Sequence, residues 1–155
     1  MFSLIITIIS IALVAALAVA TIYYGGSAFS SGSAKAVAAT IVSNAQQVTG
    51  ANVLYANDNS GAYASSIATL VPTYLASQPV PPANGASAYA VSSSNVFTAT
   101  VANQQVCAAI DATVGITSIP TAAPAASSAT QYYCYSSTGT GTSGTTSYDF
   151  VYTGG

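Results

Sequence analysis

Groups able to exchange protons, ligate a metal or attack an electrophile are scarce in this chain. Of its 155 residues only Lys35, Asp58, Asp111 and Asp149 carry a charge, and there is no histidine. General acid–base chemistry needs titratable groups tuned near neutral pH, and three aspartates far apart in sequence offer no such pair. Serine is abundant, yet no Gly-x-Ser-x-Gly elbow or Ser/Lys pair occurs. Asp58 sits in the cluster Asn57-Asp58-Asn59-Ser60-Gly61, where a carboxylate could touch a cation. Aspartates in such clusters ordinarily bond to their own turn, and that is the reading adopted. With no His, a zinc site would lack ligands. No catalytic, metal or cofactor-binding residue is expected, and no cofactor.

The charged share is 3%, against roughly a quarter in ordinary soluble proteins. A single Lys and no Arg cannot neutralise a phosphate backbone, so DNA and RNA are excluded as partners. Apolar residues make up 52%, which argues against disorder. A surface of Ser, Thr, Asn, Gln and Gly hydrates without charge, and with three carboxylates its hydrogen bonding changes little as pH falls. Two causes fit equally: an acidic or harsh exterior, or close-packed polymer surfaces and O-glycans that make charge unnecessary. The motif for N-glycosylation is absent.

Any such surface must be positioned by the elements around it, and the first of these dominates the chain. Residues 4–24 form a run of 21, interrupted only by Thr7, Ser10 and Thr21, with no charge and no proline. As a helix this run extends about 31 Å at about 1.5 Å per residue, close to the roughly 30 Å of a bilayer core. Its hydroxyls can bond back to helix carbonyls. Tyr23 and Tyr24 fall at its end, where amphipathic rings favour an interface. A signal peptide would carry a basic region before its apolar stretch; here the first cation, Lys35, follows it. Either Met1 is a processed N-terminus whose leader has gone, or insertion relies on hydrophobicity alone.

Residues 25–33, rich in Gly and Ser, are expected to loosen the helix, because each Gly costs about 1 kcal/mol relative to Ala. The helix then resumes over 34–56. Ala34, Ala38, Ile41, Ala45 and Val48 repeat at 4-3-4-3 spacing, with Val37, Val42 and Tyr55 widening the stripe. The chain therefore divides into a helix over 1–56, apolar all round over 1–24 and one-sided over 34–56, and a head domain over 57–155. An all-round apolar helix belongs in lipid or in a helical bundle, whereas a one-sided helix belongs against its own domain.

In the head, Ser65 or Ser66 caps a short helix through Leu70, Pro72 opens a turn, and Pro79, Pro81 and Pro82 enforce extended chain. Residues 88–92 and 96–101 read as strands joined by a turn at 93–95. Residues 103–113 have helical spacing, with Val106, Ala109, Ile110 and Thr113 on one side and Gly115 as the stop. Residues 131–136 and 148–152 are strands by their aromatic and β-branched content, and 138–146 is an exposed loop. The fold class is α+β, a long N-terminal helix with a small antiparallel sheet. Cys107 and Cys134 lie beyond the apolar run, in the part expected outside the cell. Their even number and placement favour a disulfide, closing a loop of about 26 residues.

The order of these features resembles the type IV pilin family with its pseudopilins, especially the type IVb branch, whose mature chains begin with residues such as Met. The resemblance rests on the apolar run from Met1, the helix through Ala56, and Tyr55-Ala-Asn-Asp58-Asn-Ser-Gly-Ala-Tyr63. Leu70, Tyr74-Leu75, Pro79-Val-Pro81-Pro82 and the late cysteine pair follow. It implies a structural subunit rather than an enzyme, which polymerises with copies of itself into an extracellular filament for adhesion, motility or surface interaction. It implies a stay in the inner membrane before assembly, cleavage and N-methylation at Met1 by a prepilin peptidase, and a pilus assembly machinery as partner. The filament core would be Phe2, Leu4, Ile5, Ile8, Ile9, Ile11, Leu13, Val14, Leu17, Val19 and Ile22, and the cysteine bridge would staple the C-terminal region. Such pilins usually carry Glu at the fifth mature position, against a neighbour's N-terminal amine; Ile5 stands here, so that amine must be methylated, solvated or otherwise paired.

Two other functions compete: a minor pilin or pseudopilin of a pilus or secretion apparatus, and a membrane-anchored surface adhesin that never polymerises. Eleven Tyr and four Phe also raise electron conduction along stacked rings, but Tyr in strands and at membrane interfaces accounts for them.

Overall fold

A computed structural model of the chain describes residues 2–83, 85–123, 130–138 and 146–154. Met1 and most of the expected 138–146 loop lie outside the described residues. The elements are α1 (Phe2–Asp58), a 3₁₀ turn (Ile67–Leu70), β1 (Ala86–Val91), β2 (Val96–Val101), α2 (Gln104–Thr113), β3 (Tyr132–Thr138) and β4 (Thr146–Thr153). A long N-terminal helix is thus joined in one chain to a four-stranded antiparallel sheet, an α+β fold. By its contacts the chain divides into two units, Met1–Ser33 and Ala34–Gly155.

In the first unit the backbone is helical throughout the described residues. The loosening expected over 25–33 is not seen. Ending a helix and renucleating it costs more than carrying it through a few glycines, because nucleation fixes several residues for one hydrogen bond. The hydroxyls of Ser27 and Ser30 donate back to the carbonyls of Tyr24 and Ser27.

In the second unit the 34–58 stretch of α1 buries Ala34, Ala38, Ile41, Ala45 and Val48, the stripe set by helical spacing. The stripe continues through Ala51, Asn52 and Ala56, with Thr49 beside it. Ala34, Ala38, Ile41, Ala45, Val48 and Ala51 share one core with the inner face of the sheet: Tyr89 and Val91, Phe97, Ala99 and Val101, Cys134, and Phe150 and Tyr152. Intervening residues such as Thr98 and Thr100 are exposed, as the two-residue period of a half-covered antiparallel sheet requires. Aromatic rings run through this core, Tyr89 against Phe97 at 4.9 Å, Phe97 against Phe150 at 6.1 Å, and Tyr132 stacked on Tyr152 at 5.8 Å.

Strand order is β1-β2-β4-β3. The last strand enters the middle of the sheet, with Phe97 opposite Tyr152 and Cys134 opposite Phe150. The β1–β2 turn closes through Asn95 N–H to Ser92 O (3.0 Å), with Asn95 at φ 55°, a left-handed conformation that Asn tolerates. Asn103 caps α2 by accepting from Val106 N–H at 3.0 Å. Gly115, φ 80°, follows its end.

Several local readings are corrected. Ser66 occupies the cap position of the 3₁₀ turn, but its hydroxyl pairs with Thr69 Oγ1 at 2.9 Å and not with the backbone. The buried side of α2 is Val106, Cys107, Ile110 and Asp111, while Thr113 is exposed. The cysteine, a small apolar side chain until it is bridged, counted too little in the periodicity.

Candidate functional site

Two regions carry features beyond ordinary folding, one in each unit. In the first unit the side chains of Phe2, Leu4, Ile5, Ile8, Ile9, Ile11, Leu13, Val14, Leu17, Val19 and Ile22 are 52–84% exposed. They surround the helix and do not form one stripe, because the sequence supplies apolar residues at every angle. The helix is long and apolar enough to cross a membrane, and none of its most apolar window is buried; it is a candidate membrane anchor. Its polar side chains are compatible with such surroundings. Thr7 Oγ1 donates to Leu4 O (2.8 Å), Ser10 Oγ to Ile6 O (2.8 Å) and Thr21 Oγ1 to Ala18 O (2.9 Å), so these three hydroxyl protons stay paired when water is stripped away. Tyr23 and Tyr24 stand edge to face at 5.6 Å, both well exposed.

In the second unit Cys107 on α2 and Cys134 on β3 are joined in a disulfide, fully buried, with Cα atoms 5.4 Å apart. Beside it lies Asp111, one turn after Cys107 and 1% exposed. One of its oxygens accepts the Cys134 N–H at 2.8 Å, and the other has no partner among the described residues. Burial pushes this carboxyl above its ordinary value, and the Cys134 N–H only partly opposes that. The folded state therefore holds the Asp111 proton more tightly than the unfolded chain does. Its contribution to stability is full below the unfolded carboxylate value and is lost as pH rises through the raised folded value. Urea unfolding of the full chain in detergent should show a midpoint that rises from pH 7 toward pH 4. Asp111→Asn, which keeps the acceptor for Cys134, should flatten that rise; an unchanged slope would exclude Asp111 as its source.

The other two carboxylates lie elsewhere. Asp58 accepts from Tyr74 OH at 2.8 Å, and this hydrogen bond raises the phenol above its usual value. Asp149 accepts from Thr100 Oγ1 (3.3 Å) and Ser137 Oγ on the outer face of the sheet. The structure thus gives each aspartate separate partners and brings no two together. Among the described residues no group of three or more His, Cys, Asp or Glu side chains could hold a metal.

A buried pair escaped sequence reasoning. Asn52 Nδ2 donates to Asn95 Oδ1 (3.1 Å), and Asn52 Oδ1 accepts Ala64 N–H (2.8 Å). Asn95 O in turn accepts Gly154 N–H at 3.0 Å. One amide thereby ties the helix to the chain after it, the β1–β2 turn and the C-terminal residues. The only signal was an Asn four residues past Val48 on the apolar stripe. Asn52→Ala leaves two buried groups unpaired, at about 1–3 kcal/mol each. We expect it to lower unfolding free energy by roughly 2–3 kcal/mol, read from denaturant curves.

Together these features define an α+β protein with an unpaired, all-round apolar helix and a disulfide-stapled polar domain. Comparison with protein-family models, with curated proteins and with solved structures gives no match.

Proposed function

We propose that this protein is a structural subunit of the type IV pilin kind, which waits in a membrane by its N-terminal helix and polymerises into an extracellular filament. One observation carries the reading. All the exposed large apolar side chains among the described residues, except Leu54 and Val80, lie between residues 2 and 29, on a stretch without a single Asp, Glu, Lys, Arg or His. Burying such side chains is worth roughly 1.5–3 kcal/mol each, so the segment must be covered by lipid or by other helices. A membrane-assembled polymer supplies each in turn. The polar domain stays hydrated, and we assign it no catalytic role.

Electron microscopy of purified material should show helical fibres; dispersed membrane-bound monomers alone would refute the reading. Mass spectrometry of the N-terminus should find N-methyl-Met1. Abundance in sheared filaments separates a major subunit from a minor one. The second reading is a surface protein that is anchored and never polymerises, favoured by a helix that meets the length and composition of a single span.

A further inference from the structure

Buried polar atoms are paired almost without exception, and an orphan demands a cause such as a redox or catalytic role. Asp111 Oδ2 is such an orphan among the described residues, on a side chain only 1% exposed. Its surroundings supply the cause, because they are where this chain forms its covalent cross-link. Cys107 lies four residues before Asp111 on the same buried side of α2, so the two side chains are neighbours. Cys134, the other half of the bridge, gives its own N–H to Asp111 Oδ1 at 2.8 Å. Both bridged residues therefore adjoin the one carboxyl.

No second base competes with it among the described residues. On the inner face of the sheet the titratable side chains near α2 are the phenols of Tyr132, Tyr148 and Tyr152, and a neutral phenol is no base for a thiol. The Tyr132 hydroxyl meets Thr113 Oγ1 at 3.1 Å. Asp149 lies on the outer face with Thr100 and Ser137, Asp58 is engaged by Tyr74, and Lys35 of α1 is exposed.

We infer that Asp111 is the proton acceptor for closure of the Cys107–Cys134 bridge, a role in the domain that holds for either reading of the N-terminal helix. Thiol–disulfide exchange is carried by the thiolate, so a thiol in the interior must lose its proton before it attacks. One cysteine of the reduced chain first gives its proton to water and exchanges with an external disulfide, small or protein-borne, to leave a mixed disulfide and one external thiolate. The proton of the other cysteine then passes to the Asp111 carboxylate. Its sulfur attacks the mixed-disulfide sulfur of the chain, the protein S–S bond forms, and the second external thiolate leaves with the electron pair of the broken bond. Two protein thiols are oxidised, one external disulfide is reduced, and the carboxyl keeps one proton. Burial raises this carboxyl above its ordinary value, toward the range where a base serves best near neutral pH. The orphan oxygen of the finished fold is the atom left after that transfer.

The test gives the reduced full chain, in detergent, an excess of glutathione disulfide at pH 8, 7 and 6. Acid quenching and mass spectrometry then separate the single mixed disulfide from the closed bridge. Below its ordinary value of about 8.5 an unassisted thiol loses thiolate about tenfold per pH unit. Closure in Asp111→Asn, which keeps an acceptor for Cys134 N–H, should therefore slow about a hundredfold from pH 8 to pH 6, and the wild-type rate by less than about tenfold. In concentrated guanidinium chloride, where folding no longer positions Asp111, both chains should show the steep profile. A steep wild-type profile without denaturant would overturn the inference whether or not the Asn variant folds, and would leave Asp111 a structural acceptor. A difference between the chains that persists in guanidinium would overturn it as well, since the effect would then not come from the folded site.

Discussion

Ala15→Asp is expected to abolish fibres while the protein still accumulates. Ala15 lies midway along the apolar run and is exposed. A charge there costs roughly 2.5–3.5 kcal/mol at the centre of a membrane span, a penalty a single anchor can reduce by water and headgroup contacts. In a polymer the same carboxylate recurs in every subunit and is packed among other helices without that relief. The proposed filament therefore loses assembly, read by negative-stain microscopy and sedimentation, while Ala15→Leu retains it. An anchor that never polymerises would keep the Asp variant in the membrane in the same way, with no wild-type fibre to lose. Fibres persisting in the Asp variant would refute burial of this helix in a filament core.

The second large effect concerns the domain and not the helix. Replacing both Cys107 and Cys134 by Ala should lower unfolding free energy by roughly 3–4 kcal/mol, the chain-entropy value for a loop of about 26 residues. Ala avoids leaving a hydroxyl at two positions that are fully buried. The bridge joins α2 to β3 beside the Asp111 contact with Cys134 N–H, so its loss should also loosen that hydrogen bond. Denaturant curves of the full chain in detergent, with and without reductant, provide the measurement. A change under about 1 kcal/mol would show that packing of α2 on the sheet, not the cross-link, holds the region.

Insensitivity to salt follows from the same composition. The described part of the first unit has no Asp, Glu, Lys, Arg or His, so contacts between copies through it carry no side-chain ion pair to be screened. Fibres should keep their stability between low and high ionic strength, within the reach of the Debye length to alter it. Dissolution in molar salt would reveal an ionic contact elsewhere.

Patterns that repeat along the chain were legible from residue order alone. The 4-3-4-3 spacing of Ala34, Ala38, Ile41, Ala45 and Val48 identified the buried face of α1 because helical period is a local property. The strand over Val96–Val101 was legible in the same way, from the two-residue period of a half-buried sheet. The apolar run over 4–24 was equally plain, as was the near absence of charge.

Other features depend on residues far apart in sequence, and only the folded chain decides them. Nothing local places β4 between β2 and β3, since its pairing with β2 joins Phe97 to Tyr152 across more than fifty residues. Nor does it join Asn52 to Asn95, or set Asp111 beneath the Cys134 amide. Each of these polar side chains is stable in the interior only because a distant partner is brought within hydrogen-bond distance, and burial without that partner would have been too costly. The sequence by itself determined which surface is greasy and which is wet; tertiary contact decided which polar groups could leave water, because that choice is made by pairs and not by single residues.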